Sequence, residues 1–319
     1  MNTVYFLVQK TMFFSIPLLI VALGGMFSER SGVVNIALEG IMIMGAFSSI
    51  LFINIVQSSG AALPPQLLLL AVLIAAAVGV LVSMAHAYAS INMKADQVIS
   101  GTAINMFAPA FAIFAARMIR SVQQIPFSNT FRITKVPVLG DIPVLGPLLF
   151  QNTYITTYLG FAVLAVSAVV LYKTRFGLRL RACGEHPQAA DSVGVNVYRM
   201  RYAGVAISGA LAGVGGLVFV VPTSTNFNAT VAGYGFLALA VLIFGQWRPS
   251  RILFAAFFFG LMKTVASAYS GIPFLANLGI PNDVYKMVPY VATLIVLAFT
   301  SKNSMAPRAE GIPYDKGSR

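Results

Sequence analysis

Ionisable and amide side chains set inside apolar runs are the residues of this chain that could do chemistry, because burying one in hydrocarbon is costly unless it is paired or hydrated. The first group lies in Ser28-Glu-Arg-Ser-Gly-Val-Val-Asn-Ile-Ala-Leu-Glu-Gly40. Asn35 and Glu39 stand four apart, which on a continuous helix puts both on one face. Two readings stay open. A broken helix could line a solute pathway with this polar face. Alternatively, Glu29 and Arg30 pair at a membrane surface while Asn35 caps the next helix. A second group, His86, Asn92, Asp96 and Asn105, surrounds a turn, with Asp96 placed as an N-cap or surface residue and Asn105 nearer the membrane interior. A third, Thr223 to Thr230, is polar without charge, and suits either a hydroxyl-rich solute or a solvated loop. Enzymatic constellations are missing. The two histidines, His86 and His186, lie in separate regions and offer no metal site. Neither a Gly-x-Ser-x-Gly elbow nor a Gly-x-x-x-x-Gly-Lys-[Ser/Thr] phosphate loop occurs, so uphill transport would draw its energy from a partner or an ion gradient.

The elements that position these residues follow from composition. Hydrophobic residues make up 58% of the 319 and charged residues 9%, against about 25% charged in a soluble domain. Apolar runs of about 20 residues can cross a hydrocarbon core of roughly 30 Å as helix. Backbone groups in lipid must pair internally, which leaves helices or a closed barrel, and the run from Leu67 to Met84 does not alternate as barrel strands do. The chain is therefore expected to be an all-α polytopic membrane protein of 8–10 transmembrane helices. Spans are placed at 5–26, 35–56, 66–91, 98–118, 154–172, 202–221, 233–244, 252–268 and 284–300. The first, lacking a basic region ahead of it, is expected to be retained rather than cleaved. The span at 233–244 is short enough to be a half-helix beside a translocation path.

The net charge of +12 is assigned to positive-inside loops rather than to nucleic-acid binding. A loop at 173–201 carries Lys173, Arg175, Arg179, Arg181, Arg199 and Arg201 and is expected to face the cytoplasm, as is the tail with Lys302, Arg308, Lys316 and Arg319. The same scheme leaves Arg117, Arg120, Arg132 and Lys135 outside, and the side of the N-terminus depends on whether the region around 28–50 holds an extra broken helix. Residues 1–302 are expected to form the membrane region and 303–319 a cytoplasmic tail that takes little structure. The Pro- and Gly-rich segment 120–152 is expected to be an external cap, a landing surface for an extracellular partner. Cys183, the single cysteine, excludes an intrachain disulfide. Ser208-Gly-Ala-Leu-Ala-Gly-Val-Gly-Gly216 provides a close-packing surface for helix pairing, with Ser208, Gly209, Gly213 and Gly216 as its small residues. Glu185 to Ser192 can form a short helix, with Pro187 in its first turn and Gly194 ending it, of a size to seat in a groove on a peripheral subunit.

Gly184-Glu-His-Pro-Gln-Ala-Ala-Asp-Ser-Val-Gly194-Val resembles the coupling-helix motif of ABC importer permeases of the ribose, nucleoside and branched-chain amino-acid group, with His186 where Asn is frequent and Val195 for Ile. The helix carrying Ser208-Gly-Ala-Leu-Ala-Gly213 follows at the expected place. Glu29-Arg30-Ser-Gly-Val-Val-Asn35-Ile-Ala-Leu-Glu39-Gly40 and the tail from Pro307 are similar to the nucleoside-type members. The resemblance implies the permease subunit of a binding-protein-dependent importer, with nucleosides as cargo and a ribose-like sugar as the alternative. It implies a cytoplasmic ATPase docked on Gly184, Glu185, His186, Pro187, Ala189, Ala190 and Gly194, a second, non-identical permease subunit, and an external lipoprotein or periplasmic receptor. ATP and Mg would sit on the ATPase, with no cofactor on this chain. Asn35, Glu39 and Asn105 are held as pathway or structural polar residues. An ion-coupled transporter acting alone is the competing class; it calls for paired intramembrane acids, and Glu39 is the one acid deep in an apolar run.

Overall fold

A computed structural model describes residues 2–60, 66–269, 281–300 and 304–317; Lys302 and Arg319 of the tail lie outside them. Each segment expected to span contains a helix, with 35–37 lying ahead of α2: α1 (Asn2–Arg30), α2 (Leu38–Ser58), α3 (Leu67–Ala87, continued as one π turn over Tyr88–Asn92), α4 (Gln97–Arg120), α5 (Ile155–Lys173), α8 (Val197–Thr223), α9 (Tyr234–Phe244), α10 (Pro249–Ala268) and α11 (Asn282–Thr300). Among the described residues, seven of these are long and apolar enough to cross a membrane. The 11 residues of α9 rise about 16 Å at helical pitch, half a bilayer.

Local chemistry sets the ends. The Asp96 carboxylate caps α4, accepting from the Val98 N–H at 2.8 Å and the Ile99 N–H at 3.0 Å. Asn196 caps α8 through the Arg199 N–H. The basic segment expected as a loop is mostly helix: α6 (Arg175–Glu185), capped by Thr174, and α7 (Pro187–Ser192). Thr174 and His186 break the helical path, and Pro187 restarts it.

The centre of the bundle is α1 and α8, which pack against each other, α8 also against α2 and α3 and α1 also against α9 and α10. Along α8, a Cβ on Gly209 would strike Ser83 and Gly79 of α3, one on Gly213 would strike the Ala75 carbonyl, and one on Gly216 the Met42 carbonyl of α2. Both α3 and α2 can therefore approach α8 to backbone contact, where dispersion is strongest and no polar group needs solvent. Arg30, Glu185 and Trp247 meet at one end of the bundle, here called the basic end. At the opposite end lies the segment after α4. It contains β1 (Ile125–Pro126), paired antiparallel with β4 (Asn226–Phe227), and β2 (Ile133–Lys135), paired antiparallel with β3 (Gln151–Thr153). Gln57 of α2 and Gln9 of α1 anchor this layer through the carbonyls of Ser128 and Pro147.

Candidate functional site

Between α1 and α2 the chain leaves helical geometry from Ser31 to Ala37 while remaining almost wholly buried. Its peptide groups are met by side chains from α3 and α4. The Val34 N–H donates to Gln97 Oε1 at 2.7 Å, and the Val34 carbonyl faces His86 Nε2 at 2.9 Å. Asn105 receives the Gly40 N–H at 2.7 Å and donates to the Ile36 carbonyl at 2.8 Å. Asn35 donates to Ser208 Oγ of α8 at 2.9 Å. Asn35 thus lies ahead of α2 and neither caps it nor shares a helical face with Glu39, because the backbone between them is not helical. Gln97, unremarked in the sequence, carries this junction as much as Asn105 does; its position in the first turn of an apolar helix was the signal available.

Glu39, in the first turn of α2, reaches the start of α9. Its carboxylate accepts the Gly233 N–H at 2.9 Å and the Gly235 N–H at 2.6 Å. Gly233 has φ +76°, a conformation that glycine adopts without penalty, and it leads the irregular segment after β4 into the half-helix. A carboxylate at a helix N-terminus satisfies orphan donors and opposes the positive dipole end. Two helix breaks are thereby locked together at membrane depth, an arrangement tolerated only where it is buried in protein or lines a cavity.

One turn beyond, at the basic end, Glu29 and Arg30 do not pair with each other. Glu29 accepts from the Trp247 indole N–H, and Arg30 reaches Glu185 of α6 at 3.5 Å and the Trp247 carbonyl at 3.2 Å. The coupling-type segment is built on this corner. Gly184 is buried where a Cβ would strike the Arg30 carbonyl, Pro187 and Ala190 pack inward, and His186 and Ala189 face outward. Gly194, with φ +83°, closes α7. Val193, at its C-cap, is 78% exposed.

The tail departs most from expectation. Residues 304–317 form no helix or strand, yet they lie strapped across the basic end. Met305 N–H donates to Gln246 Oε1, Ala309 N–H to the Gly184 carbonyl at 2.8 Å, and Gly311 N–H to the Gly32 carbonyl at 3.2 Å. Arg201, expected among the solvated loop charges, is 1% exposed and donates to the Ile312 carbonyl at 3.0 Å. Tyr314 packs edge-on against Tyr198, and Lys94 pairs with Asp315 at 2.7 Å. Hydrogen bonding and the neighbouring lysine hold the Asp315 carboxyl below its ordinary range. Glu310, which its polar surroundings mark as a bland surface acid, is half-buried beside Glu29 in a cavity of about 670 Å³. Burial pushes its pKa up to about 7, against the lowering influence of Glu29 and Arg30. Burial likewise raises the Cys183 thiol to about 11, leaving it neutral and unreactive at physiological pH.

Residues 7–297 match the family described as branched-chain amino acid transport system / permease component. The chain belongs to that family. Among its relatives are the guanosine ABC transporter permease protein NupQ of Bacillus subtilis, 46% identical with 98% of this chain and 97% of the relative covered, and the nucleoside ABC transporter permease protein NupC of Lactococcus lactis, 42% identical over 99% and 98%. The putative glucose ABC transporter permease protein TsgC13 of Haloferax volcanii is 29% identical over 88% and 87%. No solved structure matches this chain. The protein is a multi-pass membrane permease, and the family carries with it the ATPase and binding protein of such transport systems.

Proposed function

We propose that this chain is the membrane subunit of a nucleoside ABC importer. The observation carrying the cargo assignment is identity of 46% and 42%, over nearly the whole chain, to permeases named for guanosine and nucleosides. In this reading the basic end faces the cytoplasm, in accord with the positive-inside rule. α7 seats in a groove of the ATPase, which holds the ATP and Mg. Gly184, Glu185, His186, Pro187, Ala189, Ala190 and Gly194 shape this docking element. Its support is the outward face of α7 at His186 and Ala189, set on a base fixed to α1 and the tail. A second, non-identical permease subunit completes the pathway, and the β-stranded layer at the opposite end receives an external binding protein. Asn35, Glu39 and Asn105 fix the broken backbone of that pathway rather than contacting cargo, because each is engaged by protein groups.

Uptake of labelled guanosine, uridine, glucose and ribose by cells carrying or lacking the gene tests the cargo. Competition by nucleosides and not by sugars is expected; sugar uptake alone would reassign it. Co-purification in mild detergent tests the assembly, with an ATPase and a second permease expected. A lone chain transporting under an ion gradient would overturn the importer reading. Labelling of Gln188→Cys by an impermeant maleimide, in inverted but not right-side-out vesicles, tests the orientation.

A further inference from the structure

At the basic end, beside α7, Arg30, Arg181, Arg248 and Arg308 converge with Tyr172 and Glu185 around an open cavity of about 620 Å³. The one carboxylate in this lining, Glu185, is already engaged by Arg30 at 3.5 Å. The Arg30 Nε is buried and has no hydrogen-bond partner among the described residues. Arg181 lies over the Tyr172 ring with its guanidinium carbon 5.2 Å from the centroid. Four guanidinium groups against one acid form a receptor for a phosphate anion, since planar forked donors match phosphate oxygens.

The position of the cavity narrows the source of that anion. Arg30 closes α1, Tyr172 lies in the last turn of α5, and Arg248 immediately precedes α10. Three apolar helices end there, at the boundary between hydrocarbon and water. One turn deeper, α1, α5 and α8 leave an apolar groove of about 350 Å³ lined by Phe27, Leu159, Val163, Val166, Val170 and Leu211. Phe27 precedes Arg30 by three residues on α1, so the groove and the basic cavity share one helix face. Val166 and Val169 on α5 remain 60% and 54% exposed. α6 borders the same corner with Leu178 exposed among Arg175 and Arg179, as suits a helix lying in the membrane interface. A soluble anion or an acidic protein segment would account for the arginines but not for the adjoining apolar groove.

We propose that the two cavities form one site for an acidic phospholipid, its phosphate held by Arg30, Arg181, Arg248 and Arg308 and an acyl chain lying along α5. Basic pockets between membrane helices at the cytoplasmic side recognise such headgroups. The proposal takes its leaflet from the orientation proposed above and is independent of the cargo. Occupancy would hold α6, and through it the docking helix, against α1.

The test measures lipid retained by the purified full-length chain in its assembly after detergent washing, by native mass spectrometry. Phosphatidylglycerol is compared with phosphatidylcholine of the same acyl chains and with inorganic phosphate. The variants are Arg248→Gln/Arg308→Gln, both exposed side chains, and Ala162→Trp, which fills the groove from its exposed rim. Selective retention of phosphatidylglycerol is expected, weakened about fivefold per arginine and roughly 25-fold in the double variant. Ala162→Trp should also weaken it, and Arg248→Lys/Arg308→Lys should retain most of it. Equal retention of both lipids, or no loss in the arginine variant, overturns the proposal. Competition by inorganic phosphate that is indifferent to Ala162→Trp overturns the lipid and leaves a soluble phosphate anion. Loss of ATPase co-purification with lipid retention unchanged replaces the lipid with a protein contact. Binding in detergent does not depend on sidedness, so a failed orientation test would change the leaflet and leave this result standing.

Discussion

At the scale of single residues, carboxylates are used in two different ways. Glu39 is a structural anion: its two oxygens hold the Gly233 and Gly235 N–H groups at the start of α9. Glu39→Ala is expected to leave those donors unsatisfied, at about 1–3 kcal/mol for each. The result should be a lower thermal midpoint in detergent together with lost uptake. Glu39→Gln, which keeps one acceptor oxygen, should recover part of both, and a wild-type midpoint in the alanine variant would remove the capping role. Glu310 is instead a titrating acid. Its packed-state pKa of about 7 stands above the ordinary carboxylate value, so the packed tail binds the proton more tightly than the free tail does. Stability from this source is complete below the ordinary value and is lost as pH rises through about 7. The groups facing it are Glu29, Arg30, Gln246 and Trp247. Hydrogen exchange at Ala309 and Gly311, corrected for intrinsic rates, should be slower at about pH 6 than at about pH 8, and Glu310→Gln should flatten the difference. A pH-independent wild-type tail would contradict this account.

At the scale of elements, the small-residue face of α8 sets the spacing of the bundle. Gly213→Val places a side chain where the Ala75 carbonyl already sits. Overpacking of this kind costs about 1–3 kcal/mol, and here it should also separate α8 from α3. Reduced monodispersity on size exclusion and a lower thermal midpoint are expected, whereas Gly317→Val in the exposed tail should change neither. The helices and this packing face were readable because apolar length and small-residue spacing are local properties of the chain. The two helix breaks were only half readable. Hydropathy is the same for a continuous helix and for a buried coil, so residues 35–37 of the coil fall inside the expected span of 35–56. What holds the coil open comes from Gln97, Asn105 and His86, more than 50 residues away in the chain. Short length alone marked α9 as a half-helix. The cap supplied by Glu39 spans 194 residues to Gly233, and no local pattern carries it.

At the scale of the whole molecule, the tail ties the proposed docking helix to the membrane bundle. Composition made it a loose end, since Pro, Gly and charge give no local structure. Its order comes from partners elsewhere: Gly184 beside the docking helix, Gly32 in the first helix break, buried Arg201 of α8, and Lys94 after α3. One short segment therefore touches the element that would receive the ATPase and the helices that would open the pathway. A small helix pushed from below moves a bundle only if its base is stiff, because a flexible connection absorbs the displacement. Removal of residues 304–319 should leave insertion of the apolar helices intact, as these contacts lie at the end of the bundle. In the reconstituted importer, ATP hydrolysis should continue while nucleoside uptake falls, which lowers the solute moved per ATP. Ala189→Asp is expected to behave differently: it places a charge on the outward face of α7, so ATPase binding, hydrolysis stimulated by the permease and uptake should fall together. If the truncated chain transported with unchanged stoichiometry, the strap would be a packing feature without a part in coupling. If Ala189→Asp retained the ATPase and full uptake, docking would have to lie elsewhere on the basic end.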